Sequence, residues 1–340
     1  MSKEDIYILG IESSCDDTAA AILKNDEVLS NCIANQEIHK KYGGVVPELA
    51  SRAHLSNIIP VVSQALDEAN INPEMLSAIA FTKGPGLMGS LLVGTEFSKA
   101  LGLSLDIPVI EVNHMQAHLL VHYIKSDKKS PDFPFLGVTI SGGHTQFVIV
   151  EDYLKMNIIG ETLDDAIGEA FDKCGKIIGL DYPAGPEIDK LAKEGDSEKF
   201  DFPIPKVEGF NVSYSGTKTA FMNFINNSKL KDPAFIQKNK IDICASIQKN
   251  LIDNLILKVK YISKEKSLNR IVIGGGVSAN SFLKDSLELN SKENNWEVFI
   301  PPLFYTTDNA AMIGIVGYLK YIKGMFSDYN TIASPRLAFK

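Results

Sequence analysis

Gly10-Ile-Glu-Ser-Ser-Cys-Asp-Asp-Thr18, running into Ala19-Ala-Ala-Ile-Leu23, has a counterpart far along the chain in Gly137-Val-Thr-Ile-Ser-Gly-Gly-His-Thr145, running into Gln146-Phe-Val-Ile-Val150. In each, an apolar strand enters a turn of small and polar residues, and a Thr eight positions after the Gly opens a second apolar strand. Small turn residues let backbone N–H groups approach phosphate oxygens closely. Two such turns facing each other across a cleft would hold one polyphosphate or acyl phosphate, so the pair predicts a duplicated nucleotide-binding core. Two ordinary hairpins in unrelated sheets are the alternative.

The first hairpin covers about Tyr7 to Val28 and continues, through a turn at Asn25-Asp26, into a third strand over Val28 to Ala34. Helical patterns at Pro47 to Ala69 and Leu87 to Leu103 are separated by the buried-strand run Ala78 to Thr82 and the turn Lys83-Gly-Pro-Gly86. The first lobe, residues 1–124, therefore reads βββαβα. It closes with a strand at Pro108 to Val112 and a helix that Asn113 caps and that runs to Ile124. Lys125 to Pro134 reads as a linker. The second lobe, residues 135–307, starts with the second hairpin and has strands near Asn157 to Gly160, Arg270 to Ile273 and Glu297 to Ile300. Ile243, Ile247, Leu251, Leu255 and Val259 recur at helical spacing and predict a long amphipathic helix over Ile241 to Tyr261. Gly195 to Ser215 has no period and reads as an ordered loop excursion. The segment 308–340 opens with a helix, Asp308 to Lys323, expected to pack back on the first lobe.

A chain of 340 residues with 45% hydrophobic content suits two lobes of about 150 residues each. Cys15, Cys32, Cys174 and Cys244 are scattered without a C-x-x-C pair, which indicates neither a disulfide scaffold nor a thiolate zinc site. A soluble, cytoplasmic protein is expected: no secretory-signal layout opens the sequence, and the best membrane candidate, Ala310 to Leu319, is about half the ~20 residues a span needs. The net charge of −8 gives no global attraction for nucleic acid. Lysines gather only locally, at Lys40-Lys41, at Lys125 with Lys128-Lys129, and at Lys258, Lys260, Lys264 and Lys266 near Arg270. Any RNA surface would have to be local or shared with a partner.

His114-Met-Gln-Ala-His118 puts two imidazoles one turn apart on a helix face, a spacing that suits one metal ion. The peptidase motif H-E-x-x-H needs a Glu after the first histidine, and Met115 stands there. Asp308, in Tyr305-Thr-Thr-Asp-Asn309, is a candidate third ligand; its plain alternative is a helix N-cap. Ile271-Val-Ile-Gly-Gly-Gly-Val-Ser-Ala-Asn280 is a buried strand ending in glycines that leave room for a flat ring, with Asn280 able to bond ribose or base. It is not the G-x-G-x-x-G of a dehydrogenase. Glu169 and Asp172 in Gly168-Glu-Ala-Phe-Asp-Lys173, and the loop Asp181 to Asp189, offer carboxylates for ribose hydroxyls or simply for helix starts.

The ordered set of these motifs resembles the bacterial tRNA adenosine threonylcarbamoyltransferases, the former glycoprotease family of the actin, Hsp70 and sugar-kinase superfamily. It includes Tyr42-Gly-Gly-Val-Val-Pro-Glu-Leu-Ala-Ser-Arg-Ala-His54, Lys83-Gly-Pro-Gly-Leu87 and Thr307-Asp-Asn309, and runs nearly end to end. The resemblance implies a two-lobed actin-like, sugar-kinase-like (ASKHA) α/β fold with a central nucleotide cleft. It also implies transfer of a threonylcarbamoyl group from threonylcarbamoyl-AMP to N6 of adenosine 37, beside the anticodon, in tRNAs reading codons that start with A. His114, His118 and Asp308 match the family's metal ligands, for one divalent ion, most often Fe2+ with Zn2+ as the alternative. Thr139, Ile140, Ser141, Gly142, Gly143, Asp172, Gly185, Asp189 and Asn280 match its nucleotide-substrate contacts. Archaeal and eukaryotic relatives carry a tyrosine where this chain has Thr139, which points to the bacterial branch. Expected partners are tRNA, a smaller paralogue of the same fold and a P-loop ATPase, with no membrane.

An acyl phosphate is already activated, so the enzyme has chiefly to bring a weakly nucleophilic amine to the carbonyl and stabilise charge on its oxygen. Glu12, the acid of the first hairpin, is the expected residue for positioning that amine or accepting its proton. A metal-dependent peptidase and a non-catalytic ATP-binding module are the rival functions. The first lacks its Glu, and the second has no use for His114, His118 and Asp308.

Overall fold

Strand β1 (Tyr7–Glu12) is apolar on both faces because it occupies the centre of its sheet, with a neighbour on each side. The computed structural model describes residues 5–36, 39 and 42–339; Lys40-Lys41 lie outside the described residues. The chain divides into two units, Met1–Pro131 with Pro302–Lys340, and Asp132–Pro301.

In the first unit β2 (Thr18–Lys24) and β3 (Glu27–Ala34) extend the sheet antiparallel on one side of β1, and β4 (Ala78–Gly84) and β5 (Val109–Asn113) extend it parallel on the other, in the order β3-β2-β1-β4-β5. Asn25 makes the tight β2–β3 turn with φ of 56°, a conformation asparagine tolerates better than most residues. Helices α1 (Pro47–Ala69) and α2 (Met88–Leu105) pack on the sheet, and α9 (Ala310–Tyr321) also packs on β1, β2 and β4. The fit of α9 depends on missing side chains. A Cβ on Gly10 would overlap Ala310 O and the Gly314 backbone, one on Gly314 would strike Leu23, and one on Gly317 would strike Ala80. Gly10 is therefore needed for helix–sheet packing, not for a phosphate.

In the second unit β6 (Phe135–Ile140), β7 (Thr145–Asp152), β8 (Lys155–Glu161), β9 (Arg270–Gly274) and β10 (Glu297–Phe299) repeat the arrangement in the order β8-β7-β6-β9-β10. Antiparallel pairs again lie on one side of the first strand and parallel pairs on the other. Helices α4 (Ile167–Ile177), α5 (Gly185–Ala192), α6 (Ser215–Lys231) and α7 (Phe235–Lys266) stand between β8 and β9, and α8 (Ser281–Asn294) joins β9 to β10. The matched hairpins thus open two sheets of identical topology.

Helix α7 is longer at both ends than its apolar stripe predicts, with an irregular turn at Asn239. All five stripe residues have no exposed surface. The loop 195–214 is ordered by side chains around it: Asn250 Nδ2 donates to Phe202 O at 2.5 Å and Thr217 Oγ1 to Pro203 O at 2.9 Å. Helix α3 (His114–Leu120) is shorter than expected, tightening into a 3-10 turn at Val121–Tyr123. Because Leu251 lies wholly within the second core, Leu251→Ala should lower the unfolding free energy by about 2–5 kcal/mol in denaturant titration; an unchanged midpoint would show that the stripe does not carry the packing.

Candidate functional site

Three strand ends of the first sheet are set in a row by its parallel register. Ile11 pairs with Phe81 and Thr82 with Val112, which aligns Glu12, Thr82 and the start of α3. Asn113 ends β5 and caps α3, its Oδ1 accepting from Met115 N at 2.9 Å and Gln116 N at 3.2 Å. The helix therefore starts at once, with His114 in its first position and His118 one turn on. Both rings are buried, with centroids 4.7 Å apart and planes at 86°.

Asp308 reaches the same place from the segment before α9. Asn309 takes the N-cap, accepting from Met312 N at 3.0 Å, so the cap reading of Asp308 does not hold and its carboxylate is left for the histidines. Asp308 Oδ1 lies 3.3 Å from His114 Nε2 and 3.2 Å from His118 Nε2. Two ligands each about 2.1 Å from one ion lie about 3.0–3.4 Å apart, so the separations match a shared metal. His118 supplies a second sign of fit: its ring has no exposed surface, and its Nε2 faces the Asp308 carboxylate without a well-formed hydrogen bond, a contact a cation between them would complete. The three residues are suited to a divalent ion.

Glu12 is fully buried behind His114. Its Oε2 accepts from His114 Nδ1 at 2.9 Å and from Thr82 Oγ1 at 2.6 Å, and its Oε1 accepts from Ser14 N at 2.5 Å. Burial works to raise the Glu12 carboxyl, but the facing His114, through charge and hydrogen bond, more than reverses that and holds it below its ordinary value. Burial likewise opposes charge on His114, yet Glu12 and Asp308 lift it well above its ordinary value. Burial keeps His118 below its own, against the pull of Asp308. Asp308 is held low: burial opposes its ionisation, and the two histidines outweigh that. With both oxygens occupied, Glu12 is not free to take a proton from an incoming amine. Glu12 is instead placed to fix the tautomer and orientation of the His114 ring. Met115, which stands where H-E-x-x-H has its glutamate, is 2% exposed and carries no basic group.

Sequence reasoning missed what supports this knot. Thr82 and His54 are brought in from distant positions, and Ser14 from the same turn, without any sequence reading having given them this role. His54 on α1 is buried, its Nδ1 accepting from Thr18 Oγ1 at 2.8 Å and its Nε2 donating to Cys15 O at 3.0 Å. Ser90 Oγ donates to the same carbonyl at 3.0 Å. The first turn is thus a closed polar knot, with Ser13 and Ser14 buried.

The second turn is open. Gly142 and Gly143 are exposed, with free space where their Cβ atoms would be. Ser141 Oγ accepts from His144 N at 3.1 Å, and Ser141 O accepts from Gly168 N at 3.3 Å, which brings the N-terminus of α4 against the turn. A Cβ on Gly168 would clash with Ser141 O, so glycine is needed for the approach. Exposed backbone beside a helix N-terminus suits a phosphate. Thr139 and Ile140 are buried in β6, and the Thr139 Oγ1 has no partner. Gly275 abuts Ile140 O so closely that a Cβ would overlap it.

The remaining predicted contacts lie in the same unit, and much of their polar capacity is already used. Asp172 Oδ1 accepts from Ala184 N at 2.7 Å and Gly185 N at 3.4 Å, fixing the start of α5. Asp189 accepts from Ser281 Oγ at 2.8 Å, and Asn280 caps α8 through Leu283 N at 2.9 Å while its Nδ2 donates to Gln248 at 2.7 Å. Asn280 therefore has less freedom to bond a ribose or base than its sequence position suggests.

Glu12→Gln should weaken divalent-metal affinity about 10–100-fold, measured by chelator competition, with the far-UV circular dichroism unchanged. Equal affinity would deny Glu12 its orienting role. Burial lowers the pKa of His54, so the unfolded chain binds its proton more readily than the folded one. The stability it contributes is complete above its ordinary value of 6.5 and is lost as pH falls below that. His54→Gln should therefore show a smaller drop in Tm than the parent between pH 7 and pH 5; an equal drop would place the acid sensitivity elsewhere.

A family model described as tRNA N6-adenosine threonylcarbamoyltransferase matches residues 27–315. The curated protein of that name from Christiangramia forsetii is 58% identical over 340 residues, covering 100% of both chains. One from Porphyromonas gingivalis is 51% identical, over 98% of this chain and 99% of its own, and one from Caldicellulosiruptor saccharolyticus is 46% identical, over 98% of each. Among solved structures, HypF in a phosphate- and nucleotide-bound form superposes with a TM-score of 0.64 at 14% identity, over 95% of this chain and 47% of its own. Component A of the (R)-2-hydroxyglutaryl-CoA dehydratase of Acidaminococcus fermentans gives 0.54 at 15% identity, over 93% and 99%. These two speak for the fold alone, the actin-like and sugar-kinase-like α/β fold. With that fold, and with relatives matched along its whole length, the chain belongs to the bacterial tRNA N6-adenosine threonylcarbamoyltransferase family.

Proposed function

We infer that this chain is an acyltransferase that places a threonylcarbamoyl group on N6 of adenosine in tRNA. The donor we assign is threonylcarbamoyl-AMP, and the acceptor adenosine 37 of tRNAs reading codons that begin with A. The observation that carries the reading is the cluster of His114, His118 and Asp308, backed by Glu12, with Met115 where the H-E-x-x-H peptidase motif has its glutamate base. A peptidase needs that base to activate water; transfer from an activated acyl phosphate does not.

In the reaction, the N6 nitrogen forms a bond to the carbamoyl carbonyl carbon, the bond from that carbon to the phosphate oxygen breaks, AMP leaves with the electron pair, and N6 loses one proton. Ser141, Gly142 and Gly143, with the N-terminus of α4, are proposed to hold the donor phosphate and to favour the growing charge on AMP. The glycine strand end at 274–276 is proposed to lie under its adenine, with Thr139, Ile140, Asp172, Gly185, Asp189 and Asn280 shaping that pocket. His114, His118 and Asp308 would hold a divalent ion, Fe2+ in our assignment, which when bound supplies a Lewis acid for the carbonyl. Glu12 keeps the His114 Nε2 lone pair directed at that position. Since Glu12 is saturated by donors, the N6 proton leaves by another route.

No helix among the described residues is long and apolar enough to cross a membrane. A cytoplasmic location is proposed, as are a smaller paralogue of the same fold and a P-loop ATPase as partners. The test is reconstitution: the chain, the two partners, threonylcarbamoyl-AMP and unmodified tRNA are mixed, and the nucleosides are resolved by mass spectrometry. The parent should form threonylcarbamoyladenosine, and His118→Ala should form it about 100-fold more slowly or worse. Absence of the product from the parent, together with His118-dependent cleavage of a protein substrate, would hand the site to the peptidase reading.

A further inference from the structure

Residues 258–270 hold four lysines and one arginine against a single glutamate, in a chain whose net charge is −8. They form the last turns of α7 and the approach to β9 in the second unit. The helix dipole accounts for cations in a last turn. It does not account for Lys260 a turn earlier, nor for the aromatic residue beside it, Tyr261, which is left 46% exposed.

Tyr261 is held in place. Lys258 Nζ donates to Gly209 O at 2.7 Å and Val207 O at 3.3 Å, which fastens the loop carrying Phe210. The Phe210 and Tyr261 rings meet at 5.6 Å, and Lys266 Nζ lies 5.1 Å from the Phe210 ring. Beside them is a surface hollow of about 560 Å³, lined among others by Lys260, Tyr261, Lys264, Asn269, Asn294 and Trp296. Trp296 forms a firm wall, its Nε1 donating to Ser263 Oγ at 2.8 Å. Lys260 has only a loose acidic partner, Glu293 at 3.6 Å, and among the described residues Lys264 and Lys266 have no carboxylate within ion-pair reach. Cations with at most one loose acidic partner, an exposed ring fixed between them, and amide side chains at the hollow are the elements of a single-stranded nucleic-acid surface.

We propose that the end of α7 docks the RNA substrate, with Lys260, Lys264 and Lys266 on its phosphates and Tyr261 stacked against a base. The proposal rests on the tRNA reading above. An acidic protein would satisfy the lysines but would leave the ring and the hollow without a use.

The full chain is tested in the reconstituted transfer reaction and by filter retention of labelled unmodified tRNA across a salt series. Lys264→Glu with Lys266→Glu should raise KM for tRNA about tenfold with kcat unchanged, and should reduce the salt slope of binding by about two. Tyr261→Ala should weaken tRNA retention about tenfold, and Tyr261→Phe should restore it. Lys229→Glu with Lys231→Glu, an equal charge change on exposed residues of α6, should leave both readouts unaltered. Unchanged KM and slope in the α7 variant, or an equal loss in the α6 control, overturns the proposal while leaving the transferase reading intact. Failure of the parent to modify tRNA counts against that reading instead, and filter retention still decides the surface. Loss of binding to anionic phospholipid vesicles with tRNA retention intact would make this a membrane surface and overturn the proposal as well.

Discussion

A carboxylate with no exposed surface is costly to bury, by several kcal/mol unless charge and hydrogen bonds offset it, and Glu12 is such a group at the centre of the first unit. Its partners come from three places: Ser14 in the adjoining turn, Thr82 at the end of β4, and His114 at the start of α3. They meet because β1, β4 and β5 run parallel in one register and end side by side. The same constraint explains the closed first turn, where His54, Ser90 and Thr18 use up polar groups that would otherwise be unpaired in the interior. A histidine fixed from behind in this way presents one nitrogen in one direction, an arrangement suited to a metal ion.

The second unit repeats the strand order and hairpin but puts the turn to another use. The matched threonines show the divergence well. Thr18 Oγ1 donates to His54 and helps to seal the first turn, while Thr145 Oγ1 accepts from Ile167 N and fixes the N-terminus of α4 beside the second. One turn is packed with polar side chains, and the other offers bare glycine backbone next to the positive end of a helix dipole. The same scaffold is filled differently behind each hairpin.

Much of this organisation was legible in the sequence because it rests on local rules. Apolar runs bounded by turn residues located the strands, the 3.6-residue period located the buried face of α7, asparagine marked the cap of α3, and the i, i+4 spacing of His114 and His118 announced a shared face. Asp308 is already a candidate ligand from its place before a helix, but the same residue type there serves equally well as a cap, and only the family resemblance favours the ligand; Asn309 takes the cap place instead. Gly10 shows a similar limit. A glycine in a strand says that something comes close, and only packing reveals that it is α9.

The sequence by itself determined the two sheets, the hairpins that open them and the residue types able to bind a metal and a phosphate, because periodicity, turn chemistry and motif spacing act over a few neighbouring residues. Only the tertiary structure decided that Glu12 stands behind His114 with its oxygens occupied, that Asp189 and Asn280 spend their polar atoms on the start of α8, and that Lys258 fastens the loop under Tyr261. Most of these depend on hydrogen bonds between residues tens to a hundred positions apart, the Asn280 cap on Leu283 N being the local exception. Strand register and helix packing select such pairs from many chemically equal candidates, and no local pattern carries that choice.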